Sequence, residues 1–295
     1  MSTPTSSAAS PSPVVVTGAS GMLGSAVLAR CGYTSQAFGW QLGSAEPSLH
    51  KVDITDASAV DAAFDALAPG LCVHCAAIAD VDRCEAEPEL AEAVNVRGTV
   101  NVAAAAACHS TRMILISSDY VFDGRAEAPY AEDAEPNPLQ VYGTNKRAAE
   151  LVVLQLEDGL VVRLPLLYRV DADQGWFQQT RSGLLAGEEV RADALQVRQP
   201  ALVEDVAGLI VALAGLRENG IVHIAPTQRV TRYAWACLIA EAVGAPPHLV
   251  IPTELQPEVP RPRRASLATE RVEVLRLNPP RSANAVLDEA QLPTA

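Results

Sequence analysis

No stretch of this chain is apolar for the ~18 residues that a membrane-spanning helix requires, so no membrane association is expected. Positive charge is also scarce. Twenty-two Lys and Arg stand against 35 Asp and Glu, a net charge of −13, which leaves no basic footprint for nucleic acid. An acidic protein that binds an anionic ligand must concentrate positive potential locally, and backbone amides at a helix start can do part of this. Residues 1–13 hold no charged side chain and no hydrophobic core, unlike a signal or transit peptide. The expectation is a disordered tail over residues 1–12 of a cytoplasmic protein. No internal repeat is present.

Cysteines are few, six in all. Cys72 and Cys75, with Cys84 nearby, have the spacing of a metal or redox site. The run Leu71-Cys72-Val73-His74-Cys75-Ala76-Ala77 reads instead as a buried parallel strand, on which alternate side chains face opposite ways. Cys72 and Cys75 then point to different faces, and no metal site is expected.

What the chain has in quantity is apolar residues, 49% of 295. That is enough to fill one large α/β domain with a smaller lobe. Strands and helices alternate through the first half, as in a parallel sheet covered on both faces. Strands are expected at 14–16, 35–38, 49–52, 71–75, 113–116 and 161–164. Val60, Phe64 and Leu67 fall at helical spacing, and Pro88 opens a long helix through Ala107. Beyond Pro165, helices are expected at 176–185, 206–216 and 233–243 and a strand at 221–224, before repeated prolines break regular structure. The expected fold class is a Rossmann-type doubly wound parallel sheet over residues 13–168. Residues 169–295 form mainly a small substrate lobe, with 201–224 returning to the sheet.

Two local patterns carry chemistry. Val14-Val15-Val16 runs into Thr17-Gly18-Ala19-Ser20-Gly21-Met22-Leu23-Gly24 and then an apolar helix. Glycines at 18, 21 and 24 suit a tight strand-to-helix turn over which a pyrophosphate approaches backbone N–H groups. Downstream, Tyr142 and Lys146 lie four residues apart, one helical turn, with Ser118 upstream. A phenol titrating near ~10 needs help to move protons at neutral pH. A neighbouring ammonium favours its phenolate, and a serine hydroxyl can hold the oxygen being protonated. This is machinery for protonating an oxygen while hydride reaches its carbon.

These residues resemble the extended short-chain dehydrogenase/reductases, in the branch containing dTDP-4-dehydrorhamnose reductase and the regulatory beta subunit of methionine adenosyltransferase. Further matching stretches are Val52-Asp53-Ile54-Thr55-Asp56, Val73 to Ala77, Ile116 to Gly124, Pro129 to Asp133, Val141 to Lys146 and Arg261-Pro262. The resemblance implies that Tyr142 is the general acid and that Lys146 lowers its pKa and binds the nicotinamide ribose. It implies that Ser118, rather than its neighbour Ser117, orients the carbonyl, and that Asn95 helps anchor a proton relay. Cofactor contacts are implied for Gly18, Ser20, Gly21, Met22, Leu23 and Gly24. They are implied also for Trp40, Asp53, Ile54, Cys75, Ala76, Ala77 and Leu167, as well as Tyr142 and Lys146. Arg261 is expected near the substrate, where a guanidinium suits a pyrophosphate, beside Ser118 and Tyr142.

Asp119 and Asp123 are expected to hold loop turns, Glu132 and Asp133 to be solvated, and His74 and His223 to be core residues. The segment Phe38-Gly39-Trp40-Gln41-Leu42 supplies no carboxylate to repel a 2′-phosphate, and no arginine to bind one. NADP(H) is expected, with NAD(H) tolerated. Two functions stay open. One is an NADPH-dependent reductase of a nucleotide-linked 4-keto sugar; the other is a dinucleotide-binding regulatory subunit partnered with a methionine adenosyltransferase catalytic subunit. Rhamnose-pathway reductases usually carry tryptophan where this chain has Leu166.

Overall fold

The computed structural model describes residues 13–32, 37–41, 48–171, 175–290 and 292. The first strand, β1 (Val14–Thr17), is buried throughout and turns into α1 (Met22–Gly32). Next come β2 (Ala37–Gln41), β3 (His50–Lys51), α2 (Ala57–Leu67) and β4 (Leu71–His74). The second strand thus extends past its expected end at Phe38, while Ser35 and Gln36 lie outside the described residues. Asp56 starts α2 by accepting the N–H groups of Ser58 and Ala59, which satisfies two otherwise unpaired donors.

The helix expected from Pro88 to Ala107 is present but not uniform. It comprises α4 (Pro88–Glu92), a π-helical turn (Ala93–Arg97) and α5 (Gly98–Cys108). A short α3 (Val81–Ala86), capped by Asp80, precedes it without having been expected. After it come β5 (Arg112–Ser118), α6 (Val141–Val153) and β6 (Gly159–Leu164). Ser118 is the last residue of β5 rather than a residue beyond it, because its register partner on β6 is Leu164.

The second half contains β7 (Leu167–Tyr168), α7 (Trp176–Leu185), β8 (Val190–Asp193), β9 (Val197–Arg198) and β10 (Ala201–Leu202). It continues through α8 (Val203–Gly215), β11 (Gly220–His223), β12 (Val230–Thr231), α9 (Arg232–Ala242) and β13 (Val250–Thr253). The last helices are α10 (Glu270–Val274) and α11 (Ala283–Glu289). Seven strands form one parallel sheet in the order β3-β2-β1-β4-β5-β6-β11. The order reverses at β1, and such a reversal opens a crevice at the carboxyl ends of the strands.

Strand periodicity divides the core. Val14, Val16, Ile114 and Val162 pack with Val27 of α1 and Val206 and Ile210 of α8 on one face. Val15, Met113, Leu115 and Val161 pack with Phe64, Val102 and Val153 on the other. A one-residue slip would exchange the two sets, so register is strongly specified. Cys72 joins the second layer and Cys75 packs against the first. Their side chains therefore do not share a face. A separate cluster around Trp235, Phe177, Tyr168 and Leu184 forms the core of the lobe beyond β6. Among the described residues no helix is long and apolar enough to cross a membrane.

Candidate active site

The glycine turn is shaped by backbone contacts. Gly18 has φ +65, and a Cβ there would lie 2.7 Å from Ala76 Cα, just beyond the end of β4. A Cβ at Gly24 would overlap the Gly18 carbonyl. Both positions therefore require glycine to let α1 start tight against β1 and β4. Gly21 differs: its N–H donates to the Gly18 carbonyl at 2.9 Å, and a Cβ there would meet only that oxygen, at 3.2 Å. Its freedom from a side chain serves the open space before it. The first turn of α1 carries no acidic residue, so its positive end is not neutralised.

Behind the turn runs a buried polar chain. The Ala76 N–H donates to Thr17 Oγ1 at 3.1 Å, which lies 2.7 Å from His74 Nδ1; His74 Nε2 is 3.1 Å from Thr99 Oγ1. Thr99 gives its own proton to the Asn95 carbonyl at 2.8 Å. Each hydroxyl has one proton, so His74 must donate through Nε2 and accept at Nδ1, an assignment made from the network. Burial and then the Lys146 charge pull the His74 pKa down to about 3, and the ring is neutral. The Asn95 side chain, on the π-helical turn, accepts the Ile78 N–H at 2.7 Å and donates to the Ile78 carbonyl at 3.0 Å.

Helix α6 delivers the reactive side chains. Its Val141 N–H is taken by Glu85 Oε2 of α3 at 3.1 Å, a cap supplied from another element. A Cβ on Gly143 would overlap the Tyr120 carbonyl, so glycine there lets α6 close against the turn that follows Ser118. Tyr142, Lys146 and Glu150 then fall on one face, one turn apart. Lys146 Nζ donates to the Ile116 carbonyl at 2.9 Å. Glu150 accepts from Ser117 at 2.6 Å and from Arg163 Nε at 2.8 Å. Ser118 donates to Asp119 Oδ1 at 3.0 Å and accepts the Tyr120 N–H at 3.2 Å.

Burial dominates the titration of these groups. It pulls Lys146 down to about 8, opposed by Cys75 and Glu150. It pushes the Tyr142 phenol well above its ordinary value, a rise that Ser118 opposes and Asp119 reinforces. Loss of solvent around the Tyr142 phenol is the largest influence on it. Burial likewise pushes Asp119 up to about 6 against the pull of Arg198.

These groups enclose a cavity of about 380 Å³ at the carboxyl ends of the strands. Of the residues singled out from sequence, Gly18, Gly21, Met22, Leu23 and Gly24 line it. So do Cys75, Ala77, Ser118, Tyr142, Lys146 and Leu167. Ser20 and Ala76 do not, although Ala76 holds the wall through Thr17. Asp53 accepts from the Thr55 N–H and hydroxyl at 2.9 and 2.7 Å, and Ile54 is buried against Gly98. The backbone of Trp40 lies in β2, and its side chain is outside the described residues. Arg261 is not at the cavity; it pairs with Asp82 at 2.8 Å.

Arg198, missed in the sequence, lines the cavity, with 4% of its surface exposed. Its guanidinium donates to the carbonyls of Val197 and Pro262, both at 2.9 Å. A two-residue strand leaves no periodic signal to find it. Asp119 also lines the cavity instead of serving only its turn, whereas Asp123 does hold its loop, accepting from Arg125 N–H, Tyr130 and Asn137. Glu132 is not simply solvated: its Oε1 accepts the His223 N–H at 3.4 Å. His74 and His223 are both fully buried. No cluster of three or more His, Cys, Asp or Glu suited to a metal occurs among the described residues.

The family model described as RmlD substrate binding domain matches residues 12–291. The probable low-salt glycan biosynthesis reductase Agl14 of Haloferax volcanii is 35% identical over 272 residues, covering 88% of this chain and 90% of that protein. Methionine adenosyltransferase 2 subunit beta of Bos taurus is 35% identical over 277 residues, covering 89% and 82%. The crystal structure of dTDP-4-dehydrorhamnose reductase from Bacillus anthracis in complex with NADP superposes with a TM-score of 0.86 at 25% identity. That match covers 94% of this chain and 98% of the other.

Proposed function

The chain belongs to the RmlD substrate binding domain family, and from that premise we propose that it is an NADPH-dependent reductase of a nucleotide-linked 4-keto sugar. The more general statement, an NAD(P)-dependent oxidoreductase, follows from its reductase relatives. One observation carries the finer reading: the glycine turn, Ser118, Tyr142 and Lys146 converge on a single cavity.

A dinucleotide fits this site. Gly21 leaves open space before a helix start that carries no carboxylate, suited to a pyrophosphate. Gly18, Gly21 and Gly24 would hold it, with Lys146 on the nicotinamide ribose and Cys75 and Ala77 along the wall. When bound, the dinucleotide supplies a hydride. The chain's own residues handle the proton. Tyr142, kept protonated by burial, begins as the acid that gives a proton to the carbonyl oxygen. The Lys146 ammonium favours the phenolate left behind. Ser118 orients the oxygen, and Asn95 positions the Ile78 backbone beside the site. Arg198, which lines the cavity, joins Arg261 as a guanidinium for the substrate pyrophosphate. Residues 13–168 serve as the dinucleotide half and 169–295 mainly as the substrate lobe, with 201–224 completing the sheet.

Leu166 lines the cavity where rhamnose-pathway reductases usually carry tryptophan, so the sugar is assigned only by class. A second reading is favoured by the relatives named methionine adenosyltransferase 2 subunit beta: a regulatory subunit that holds a dinucleotide for structure. Incubating the purified chain with NADPH and a panel of nucleotide 4-keto sugars, beside a pull-down with an adenosyltransferase catalytic subunit, separates the two. Turnover without a partner supports the reductase. A stoichiometric partner with no turnover supports the regulator.

A further inference from the structure

Asp119 is a buried acid at the cavity that the reduction just described does not use. It is 5% exposed and shares a hydrogen bond of 3.0 Å with the Ser118 hydroxyl. Ser118 Oγ meanwhile accepts the Tyr120 N–H at 3.2 Å. A hydroxyl has a single proton to give. While Asp119 is ionised, that proton points at its carboxylate and is denied to any oxygen in the cavity.

We propose that Asp119 is a positioning residue for the reduction, steering the Ser118 hydroxyl between its own carboxylate and the carbonyl oxygen. This rests on the reading of the site as a carbonyl reductase. In its neutral form, Asp119 becomes a donor and gives its O–H to Ser118 Oγ. The Ser118 proton then turns into the cavity and joins Tyr142 on the carbonyl oxygen. No atom other than these protons moves.

The groups facing Asp119 set where it titrates. Arg198, from β9, stabilises the carboxylate; Tyr142, from α6, is held protonated by burial, and Tyr120 lies on the same turn as Asp119. Burial opposes the carboxylate more strongly than Arg198 supports it, so Asp119 titrates near 6. A substrate pyrophosphate adds like charge and engages Arg198, and both effects raise that value further.

The test is the pH profile of kcat/KM for ketone reduction in wild type and Asp119→Asn. Wild type is expected to fall by about tenfold per pH unit above the Asp119 midpoint. Asn cannot ionise, and its amide can still donate to Ser118, so its profile lacks the limb that begins near pH 6, whatever its absolute rate, and keeps only the limb that Lys146 sets near 8. The same falling limb in Asp119→Asn, or no limb in wild type, overturns the proposal. A wild type that reduces no nucleotide 4-keto sugar rejects the reading of function, and a second measurement needs no substrate. Infrared titration follows the carboxyl band that Asp119→Asn removes. Ser118→Ala deletes a hydrogen bond favouring the carboxylate, so the midpoint should rise by about one pH unit. A midpoint unmoved by Ser118→Ala overturns the proposal independently of activity.

Discussion

Arg163 donates to both oxygens of Glu150, Nε to Oε1 and Nη2 to Oε2, each at 2.8 Å, and neither residue is exposed. The pair ties α6 to β6 two turns beyond Tyr142. Ser117 donates to the same carboxylate, so β5 is held as well. Glu150→Ala would leave an uncompensated guanidinium, with a cost of about 3–5 kcal/mol. Urea unfolding of the variant should show that loss; a midpoint within error of wild type would mean the clamp is idle.

Tyr142→Phe should abolish nearly all reductase turnover while leaving dinucleotide affinity within about threefold. The phenol supplies the proton, whereas affinity comes mainly from backbone amides and the adenosine half. Stopped-flow reduction alongside a fluorescence titration of NADPH checks both halves. Wild-type turnover in the variant removes Tyr142 from its role.

The glycines should separate by kind. Gly24→Ala places a Cβ on the Gly18 carbonyl and should disrupt folding of the turn, visible as lost thermal stability. In Gly21→Val the Cβ meets only one oxygen, at 3.2 Å, and the fold should be left standing, while the branched side chain obstructs the pyrophosphate path. Circular dichroism and NADPH titration distinguish the two. A folded Gly21→Val variant with wild-type affinity means the turn is no phosphate cradle.

Stability should fall with acid in a defined window. Burial holds His74 and His223 neutral, with pKa values pulled down to about 3; Lys146 and Arg163 respectively reinforce it. The unfolded chain binds protons at these sites near pH ~6.5, so it takes up more of them between about 6.5 and 3. Each imidazole then contributes stability that is full above that window and is lost at about 1.4 kcal/mol per pH unit on descent. Asp119, raised to about 6, works in the opposite direction between about pH 6 and 4, because there the folded state holds the extra proton. A net loss of about 1–2 kcal/mol between pH 6.5 and 5 is expected from urea midpoints. A constant midpoint would contradict the burial of both rings.

What the sequence made legible is what is local in it. The turn from Gly18 to Gly24 and the Tyr142–Lys146 pair each fit within one helical turn or one strand end, where spacing alone fixes neighbours. The pairing of Arg261 with Asp82 could not be read from spacing, because the two lie far apart in the chain. Arg198 and Asp119 were obscure for the same reason, since burial is created by elements that meet only in the fold. For Tyr142, spacing shows the lysine but not the burial that dominates the phenol's surroundings. The parallel pairing of β8 with β13 had no signature, lying in a segment crowded with proline.

The returning segment gives the chain a problem of timing. Strand β11 covers the open edge of β6, and Val203, Val206, Ile210 and Leu213 of α8 are buried against the sheet's first face. Until residue 223 has left the ribosome, a nascent chain carries an unpaired strand edge beside an uncovered apolar layer, the kind of surface that recruits other chains. Fragments ending near residue 168 should therefore aggregate rather than fold as a free nucleotide-binding half, and chaperone demand should peak just before α8 and β11 emerge.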